Sequence, residues 1–226
     1  LNLIVGALAI APLARIIAIA VDPVVNSTLL NIGRMISAAA EQSPIIMGFL
    51  LGGIMKMICT SPLSSMALTA MLGLDGLAMG IAAIACVGGS FTNGIIFDRL
   101  KLGERSNVIA VMLEPLTQAD IITQNPIPIY GSNFFGGGLA GLAAAMLGII
   151  NNAPGTASPI PGLLAPFGFN PPLKVVAAIV LAAIGGCLAG FVGSIVFKGF
   201  AKTPADIKAA EKATETIVPE VAIAAE

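Results

Sequence analysis

The feature that most constrains the fold is a pair of apolar segments joined by a polar, proline-rich loop. The first segment covers residues 134–150, and the second, residues 175–197, contains no charged residue. A bilayer core requires about 20 consecutive apolar residues, and soluble proteins rarely contain a charge-free run of that length. The sequence therefore predicts a helical hairpin embedded in a membrane.

The loop of this hairpin, residues 151–162, combines hydrogen-bonding side chains with three prolines. Irregular backbone at membrane depth must be enclosed by protein or must line a watery cavity, because lipid offers its polar groups no partners. We therefore expect the loop to lie inside the protein. Its polar side chains, Asn151, Asn152 and Thr156, are predicted to bind a small polar solute.

The composition supports a polytopic membrane protein and excludes several other classes. Hydrophobic residues make up 57% of the chain and charged residues only 10%, against roughly 25% charged residues in soluble domains. A net charge of −1 excludes a nucleic-acid partner, since no basic stripe is available to neutralise phosphates. The chain has no histidine, and its three cysteines lie apart within apolar runs. We therefore expect no metal site, no cofactor and no catalytic residue.

Length and hydropathy divide the chain into about six apolar segments separated by polar intervals. The resulting fold class is all-α: a polytopic helical membrane bundle with re-entrant half-helices and hairpin loops. We expect a break at Pro12, a mixed helix that is interfacial or partly buried, a re-entrant half-helix, and a long polar interval before the hairpin. The segments and intervals are residues 1–21, 22–42, 43–58, 62–72 (the half-helix), 74–97, 98–133, 134–150 and 172–197.

Two regions are expected: a transmembrane domain over residues 1–199, and a charged cytoplasmic tail over residues 200–226 with a helix start at residues 203–206. The first residue already lies in an apolar run, so we expect part of the N-terminal region of the domain to be missing. Lysine and arginine are enriched in cytoplasmic loops, which places both basic clusters of the chain in the cytoplasm. These clusters are Arg99, Lys101 and Arg105, and then Lys198, Lys202, Lys208 and Lys212.

Polar residues at the break after the second span form the first candidate site, because polar groups at membrane depth are costly and usually functional. The residues expected to cap the half-helix after Pro62 are Thr60, Ser61, Ser64 and Ser65, and the N-terminus of this half-helix is expected to face a ligand. We expect this break and the loop of the hairpin to meet inside the bundle. For Lys56, which precedes the break, snorkelling from a helix end is favoured over a buried role.

The second candidate site contains Glu114 and Gln118. They share a helix face if Pro115 occupies a first turn, and Glu114 is the best anchor for a solute. An amphipathic surface helix explains the same pattern equally well. Asn125–Pro126 and Pro128 predict an extended stretch leading into residue 134. Asp75 is expected to cap the helix that follows it.

Glycine pairs spaced four residues apart predict close helix packing, with a dimer interface as the alternative. The pairs are Gly48 with Gly52, Gly137 with Gly141, and Gly186 with Gly190.

Four motifs resemble enzyme IIC, the membrane subunit of the bacterial phosphotransferase system. They are TSPLSS at residues 60–65, LDGLA at 74–78, TQNP at 123–126 and NNAPG at 151–155, and they most resemble the perfringolysin-regulator (PfoR-like) branch. The resemblance implies a dimeric permease of the bacterial inner membrane that holds a sugar between re-entrant hairpins and a moving transport domain. It also implies cytosolic phosphotransferase subunits as partners, because no phosphorylatable domain is attached to this chain.

The residues and the resemblance together predict a permease subunit for a small polar solute, expected to be a sugar. The predicted substrate-binding residues are Thr60, Ser61, Ser64, Glu114, Gln118, Asn151, Asn152 and Thr156. A membrane-bound sensor or regulator that transports nothing is the alternative. A membrane-embedded hydrolase is disfavoured, because only Lys56 near Ser61 could supply its nucleophile and base.

Overall fold

The computed structural model of the protein describes residues 2–205, and these contain α-helices, short 3-10 turns and no strand. The predicted all-α helical bundle is thereby confirmed. The expected helix start at residues 203–206 lies at the edge of the described residues, and the rest of the tail, with Lys208 and Lys212, lies outside them. The α-helices of the described residues are α1 (Asn2–Gln42), α2 (Pro44–Thr60), α3 (Ser65–Met71), α4 (Gly76–Arg99), α5 (Arg105–Leu113), α6 (Ala119–Gln124), α7 (Pro126–Met146), α8 (Pro159–Leu164) and α9 (Pro172–Val196).

The helix α4 is the centre of the bundle. Three helical stretches of the described residues are long and apolar enough to cross a membrane: Pro12–Gln42 of α1, α4 and α9. In the most apolar window of α4 89% of the residues are buried, whereas none is buried in that of α1. The helices α2, α7 and α9 surround α4, and α1 packs on the core through Leu29, Ile36 and Ala40, which lie in its C-terminal half.

The glycine pairs bring these helices into backbone contact. A Cβ added to Gly52 of α2 would lie 2.5 Å from the carbonyl oxygen of Gly137 on α7. Gly186 and Gly190 of α9 lie against the backbone of α4 in the same way. Contacts within one chain therefore account for these glycines, as expected where helices pack closely in a membrane.

Two expectations about proline were wrong. The helix α1 continues through Pro12 and Pro23, because a transmembrane helix can accommodate the lost backbone hydrogen bond by local adjustment. Pro126 and Pro128 lie in the first turn of α7, not in an extended stretch. First-turn N–H groups have no helical acceptor, so proline is tolerated there, and only Asn125 is kept out of the helix.

Hydrogen bonds show which helix ends lie together. The Nε atom of Arg99, at the end of α4, donates to Ser194 Oγ near the end of α9 at 2.7 Å. Asn125, just before α7, exchanges hydrogen bonds with the backbone of Lys202 at 3.2 and 2.7 Å. We call this end, which carries Arg99, Lys198 and Lys202, the basic end. At the other end of the bundle, which we call the far end, the Asn151 N–H donates to the Gly76 carbonyl at 2.9 Å.

Two hairpins enter the bundle from these opposite ends. The basic-end hairpin, residues 105–124, carries Met112 inward until its sulfur packs on Gly94 of α4. The far-end hairpin, residues 147–171, carries Gly162 inward until it packs on the backbone of Ala83. Gly94 lies five residues from the end of α4, and Ala83 lies seven from its start. At a rise of about 1.5 Å per residue, these contacts lie about 8 Å from the basic end and about 11 Å from the far end of α4.

The helix α2 stops inside the bundle, so the predicted break after the second span is a true interruption. Its last residue, Thr60, lies beside Asn93, six residues before the basic end of α4. The chain then turns through residues 61–64, and α3 carries it back towards Gly76 at the far end. The short helix α3 therefore corresponds to the expected re-entrant half-helix.

Candidate functional site

The break after α2 and the loop of the far-end hairpin are in contact. Ser65 Oγ donates a hydrogen bond to the Ala157 carbonyl at 2.5 Å, and Ser65 and Ala157 are both buried. A Cβ added to Gly155 would lie 3.4 Å from the Met66 carbonyl oxygen and from Ala70 Cβ. The two interruptions that the sequence singles out therefore pack against each other, and we call this contact between residues 65–70 and 155–157 the joint.

Glu114 joins the basic-end hairpin to this joint. It is extended (φ −150°, ψ 100°) between α5 and the 3-10 turn Pro115–Gln118, which places it at the tip of the hairpin. Its Oε2 atom accepts a hydrogen bond from Ser158 Oγ at 3.3 Å. Ser158 is buried and immediately precedes α8, so the tips of both hairpins meet at this one hydrogen bond.

The expectation that Glu114 and Gln118 share a helix face was wrong. Pro115 starts a 3-10 turn, so Glu114 lies outside the turn that contains Gln118. Gln118 accepts a hydrogen bond from Asn107 Nδ2 at 2.7 Å and so ties the two arms of its own hairpin together.

The three polar residues of the far-end loop bond to the protein. Asn151 Nδ2 donates to Thr156 Oγ1 at 2.8 Å, and that hydroxyl donates to the Ala153 carbonyl at 2.8 Å. Asn152 Oδ1 accepts from the Gly76 N–H at 3.0 Å and so caps α4. The residue expected to cap α4, Asp75, makes no capping hydrogen bond with its side chain.

The serines after α2 shape the break. Ser64 Oγ accepts from the Ala67 N–H at 3.1 Å, which is the expected N-terminal cap of α3. Ser61 Oγ donates to the Ile58 carbonyl at 2.7 Å and accepts from the Leu63 N–H at 3.2 Å.

Thr60 belongs to a line of buried polar side chains across three helices. Asn133 Nδ2 of α7 donates to Asn93 Oδ1 of α4 at 2.5 Å. Asn93 Nδ2 in turn lies 3.5 Å from Thr60 Oγ1, at the outer limit of a hydrogen bond. Each of the three is at most 1% exposed, yet Asn133 Oδ1 finds no hydrogen-bond partner among the described residues.

Lys56 lies one helical turn from Thr60 and is 0% exposed, so the snorkelling interpretation was wrong. Its aliphatic stem packs on Gly89 of α4 and Gly137 of α7, where any Cβ would overlap it. Its Nζ atom has no hydrogen-bond partner within residues 2–205. We call Lys56, Thr60, Asn93 and Asn133 the polar seam.

The polar seam and the hairpin tips are neighbours. Cys59 and Cys86 are buried free thiols that lie side by side on α2 and α4. Gly89 of α4, on which Lys56 packs, directly precedes Ser90, which lines a cavity together with residues of both hairpins. The polar seam and the hairpin tips therefore adjoin through consecutive residues of α4.

A cavity of about 190 Å³ adjoins the tips. Its lining includes Leu113, which precedes Glu114, and Pro159, which follows Ser158, together with Ser90 of α4. Typical ligand pockets measure about 300–1,000 Å³, so this space is small for a sugar while the hairpin tips touch.

Sequence reasoning missed Asn93, Asn133 and Ser158, although a signal for the polar seam was present. Gly89 and Asn93 are four residues apart on α4, as are Asn133 and Gly137 on α7. Residues four apart share a helix face. On α4 and on α7 one such face therefore carries both the glycine that packs on Lys56 and the asparagine that forms the Asn93–Asn133 hydrogen bond. Lys56 and Thr60 have the same spacing on α2.

Membrane-length helices, hairpins that enter from both ends and a buried polar centre together define a polytopic membrane protein of the transport type. The chain belongs to the family described as Phosphotransferase system, EIIC, which matches residues 1–208. No curated protein and no solved structure matches the chain. The protein is therefore a membrane component of a phosphotransferase system.

Proposed function

We propose that the protein is a permease that moves a small polar solute, specifically a sugar, across the inner membrane of a bacterium. The meeting of both hairpin tips at Glu114 and Ser158, beside the polar seam, is the observation that carries this proposal. Two hairpins from opposite ends can each block one half of a path through the bundle. The motifs at residues 60–65 and 151–155 favour the perfringolysin-regulator branch of the family.

In this proposal the basic end faces the cytoplasm. Arg99, Lys198 and Lys202 lie at one end of the bundle, and cytoplasmic loops carry the excess of basic residues. The basic-end hairpin then enters from the cytoplasm, the far-end hairpin from outside, and the tail after residue 199 lies where cytosolic phosphotransferase subunits can reach it. The apolar side chains exposed on α1 and α9 contact lipid and, in a homodimer, a second copy.

The predicted residues divide into two roles. Glu114 and Thr60, with Asn93 and Asn133, contact the hydroxyl groups of the solute. The others act as positioning residues, because their side chains already bond to the break, the hairpin arms or the loop: Ser61, Ser64, Gln118, Asn151, Asn152 and Thr156. Because the cavity beside the tips is small, the Glu114–Ser158 hydrogen bond must open to admit a sugar.

Uptake into vesicles containing the purified protein tests this proposal. We expect accumulation of at least one labelled sugar when cytosolic phosphotransferase proteins and phosphoenolpyruvate are enclosed. The Glu114→Gln variant should lose about tenfold to a hundredfold of that uptake, since a hydrogen bond to a charged group contributes about 1.5–3 kcal/mol.

The matched control is Asp120→Asn, which removes the same charge from an exposed residue of the same hairpin and should leave uptake at the wild-type level. Equal uptake by the Glu114→Gln variant and the wild type would remove Glu114 from the site. No uptake of any sugar by the wild type would contradict the permease function.

A further inference from the structure

Within the described residues, the centre of the bundle holds a buried lysine that has neither a hydrogen-bond partner nor an ion-pair partner. Lys56 Nζ is fully buried and unpartnered within the described residues. The salt bridge found among those residues joins Lys101 to Asp98 on the surface, at 3.9 Å, so Glu114 does not pair with Lys56. An unpaired charge at membrane depth is costly and is usually retained for function.

The surroundings of Lys56 are built to hold it. Gly89 and Gly137 clear a slot for its stem from two sides, since a Cβ at either position would overlap a carbon of Lys56. A side chain enclosed by two different helices in this way cannot extend to the membrane surface. Its ammonium group is thus presented to the interior of the bundle.

A second orphan group lies one turn away on the same seam. Asn133 Oδ1 is a buried acceptor without a donor among the described residues, and Asn133 is four residues before Gly137, on which Lys56 packs. Such positions are about 5–6 Å apart on a helix face. An ammonium group needs an acceptor, and an amide oxygen needs a donor.

We infer that the solute is a polyhydroxy carboxylate, that is, a sugar acid. Its carboxylate accepts hydrogen bonds from Lys56 Nζ, and one of its hydroxyl groups donates to Asn133 Oδ1. One molecule of this class carries both a carboxylate and hydroxyl groups, whereas a neutral sugar leaves the ammonium without a counter-charge. This inference rests on the proposed permease function and narrows its substrate class.

The test is thermal unfolding of the detergent-purified protein with sodium glucuronate, sodium gluconate, glucose, glucosamine hydrochloride or sodium chloride at matched ionic strength. At least one of the two acids should raise the melting temperature by about 3 °C or more. Glucose, glucosamine and sodium chloride should produce no comparable rise. The rise should vanish in Lys56→Met and persist in Lys174→Met, a control lysine that donates to the Gly148 carbonyl at the far end.

Lys56→Met also gives a readout without any solute. Methionine can fill the slot between the glycines, and it removes the unpaired charge, so the variant should melt at a higher temperature than the wild type in buffer alone. A lower melting temperature would mean that Lys56 has a structural partner, which would overturn the inference. The inference would also be overturned if neither acid raised the melting temperature, if Lys56→Met showed the same rise as the wild type, or if sodium chloride alone produced it. If vesicles took up a neutral sugar and Lys56→Met did not reduce that uptake, the sugar-acid inference would fail and the permease function would stand.

Discussion

Replacing Gly52 with valine is expected to prevent α2 from docking on α7. The added Cβ would lie 2.5 Å from the Gly137 carbonyl oxygen and 2.9 Å from Gly141 Cα. Both neighbours are backbone atoms of a helix, so neither can move aside as a flexible side chain would. We expect a loss of at least about 3 kcal/mol of unfolding free energy, the upper part of the usual range for overpacked cores.

Thermal unfolding in detergent, with the yield of monodisperse protein as a second readout, measures this effect. Gly168→Val is the matched control, because nothing lies within 4 Å of a Cβ added at Gly168. The control should express and melt like the wild type. A Gly52→Val protein with the wild-type melting temperature would show that α2 and α7 are not in backbone contact.

Replacing Asn133 with leucine is expected to abolish most uptake while the bundle still forms. Leucine has a similar shape, but it removes the donor to Asn93 Oδ1 and the orphan acceptor Oδ1 of Asn133 itself. An unsatisfied buried polar group costs about 1–3 kcal/mol. If the solute bonds to this seam, uptake should fall about tenfold to a hundredfold.

Thr92→Val separates a loss of binding from a loss of stability. Thr92 Oγ1 donates to the Gly186 carbonyl at 3.0 Å, so this variant removes a buried hydrogen bond between α4 and α9 and none within the polar seam. Both variants should melt a few degrees below the wild type, and only Asn133→Leu should lose uptake. Equal loss of uptake in the two variants would mean that the seam is structural.

Much of the fold follows from hydropathy and small residues. The charge-free segment that starts at Val175 forms most of α9, and the glycine spacing of α2, α7 and α9 marks the helix faces that touch. The boundaries at proline were not predictable in the same way. Whether Pro126 ends an extended stretch or starts a helix depends on which backbone groups find partners, and those partners are distant in the chain.

The candidate site was predictable only in part. The break after Thr60 and the far-end loop are visible as polar interruptions, and Glu114 stands out as a carboxylate in an apolar setting. Sequence alone does not show that Lys56 points inward, because a lysine stem can lie along a helix in either direction. Its burial follows from two glycines on other helices, and such pairings across the bundle are set by tertiary packing.

The central claim is that hairpins from opposite ends meet at Glu114 and Ser158 in the middle of the membrane domain. Cysteine cross-linking in native membranes tests it most directly, in a background with Cys59, Cys86 and Cys187 replaced by alanine. The pair Glu114→Cys with Ser158→Cys should cross-link rapidly under mild oxidation. The pair Glu104→Cys with Ser158→Cys should not, because Glu104 lies at the other end of α5. Cross-linking of the second pair without the first would contradict the account.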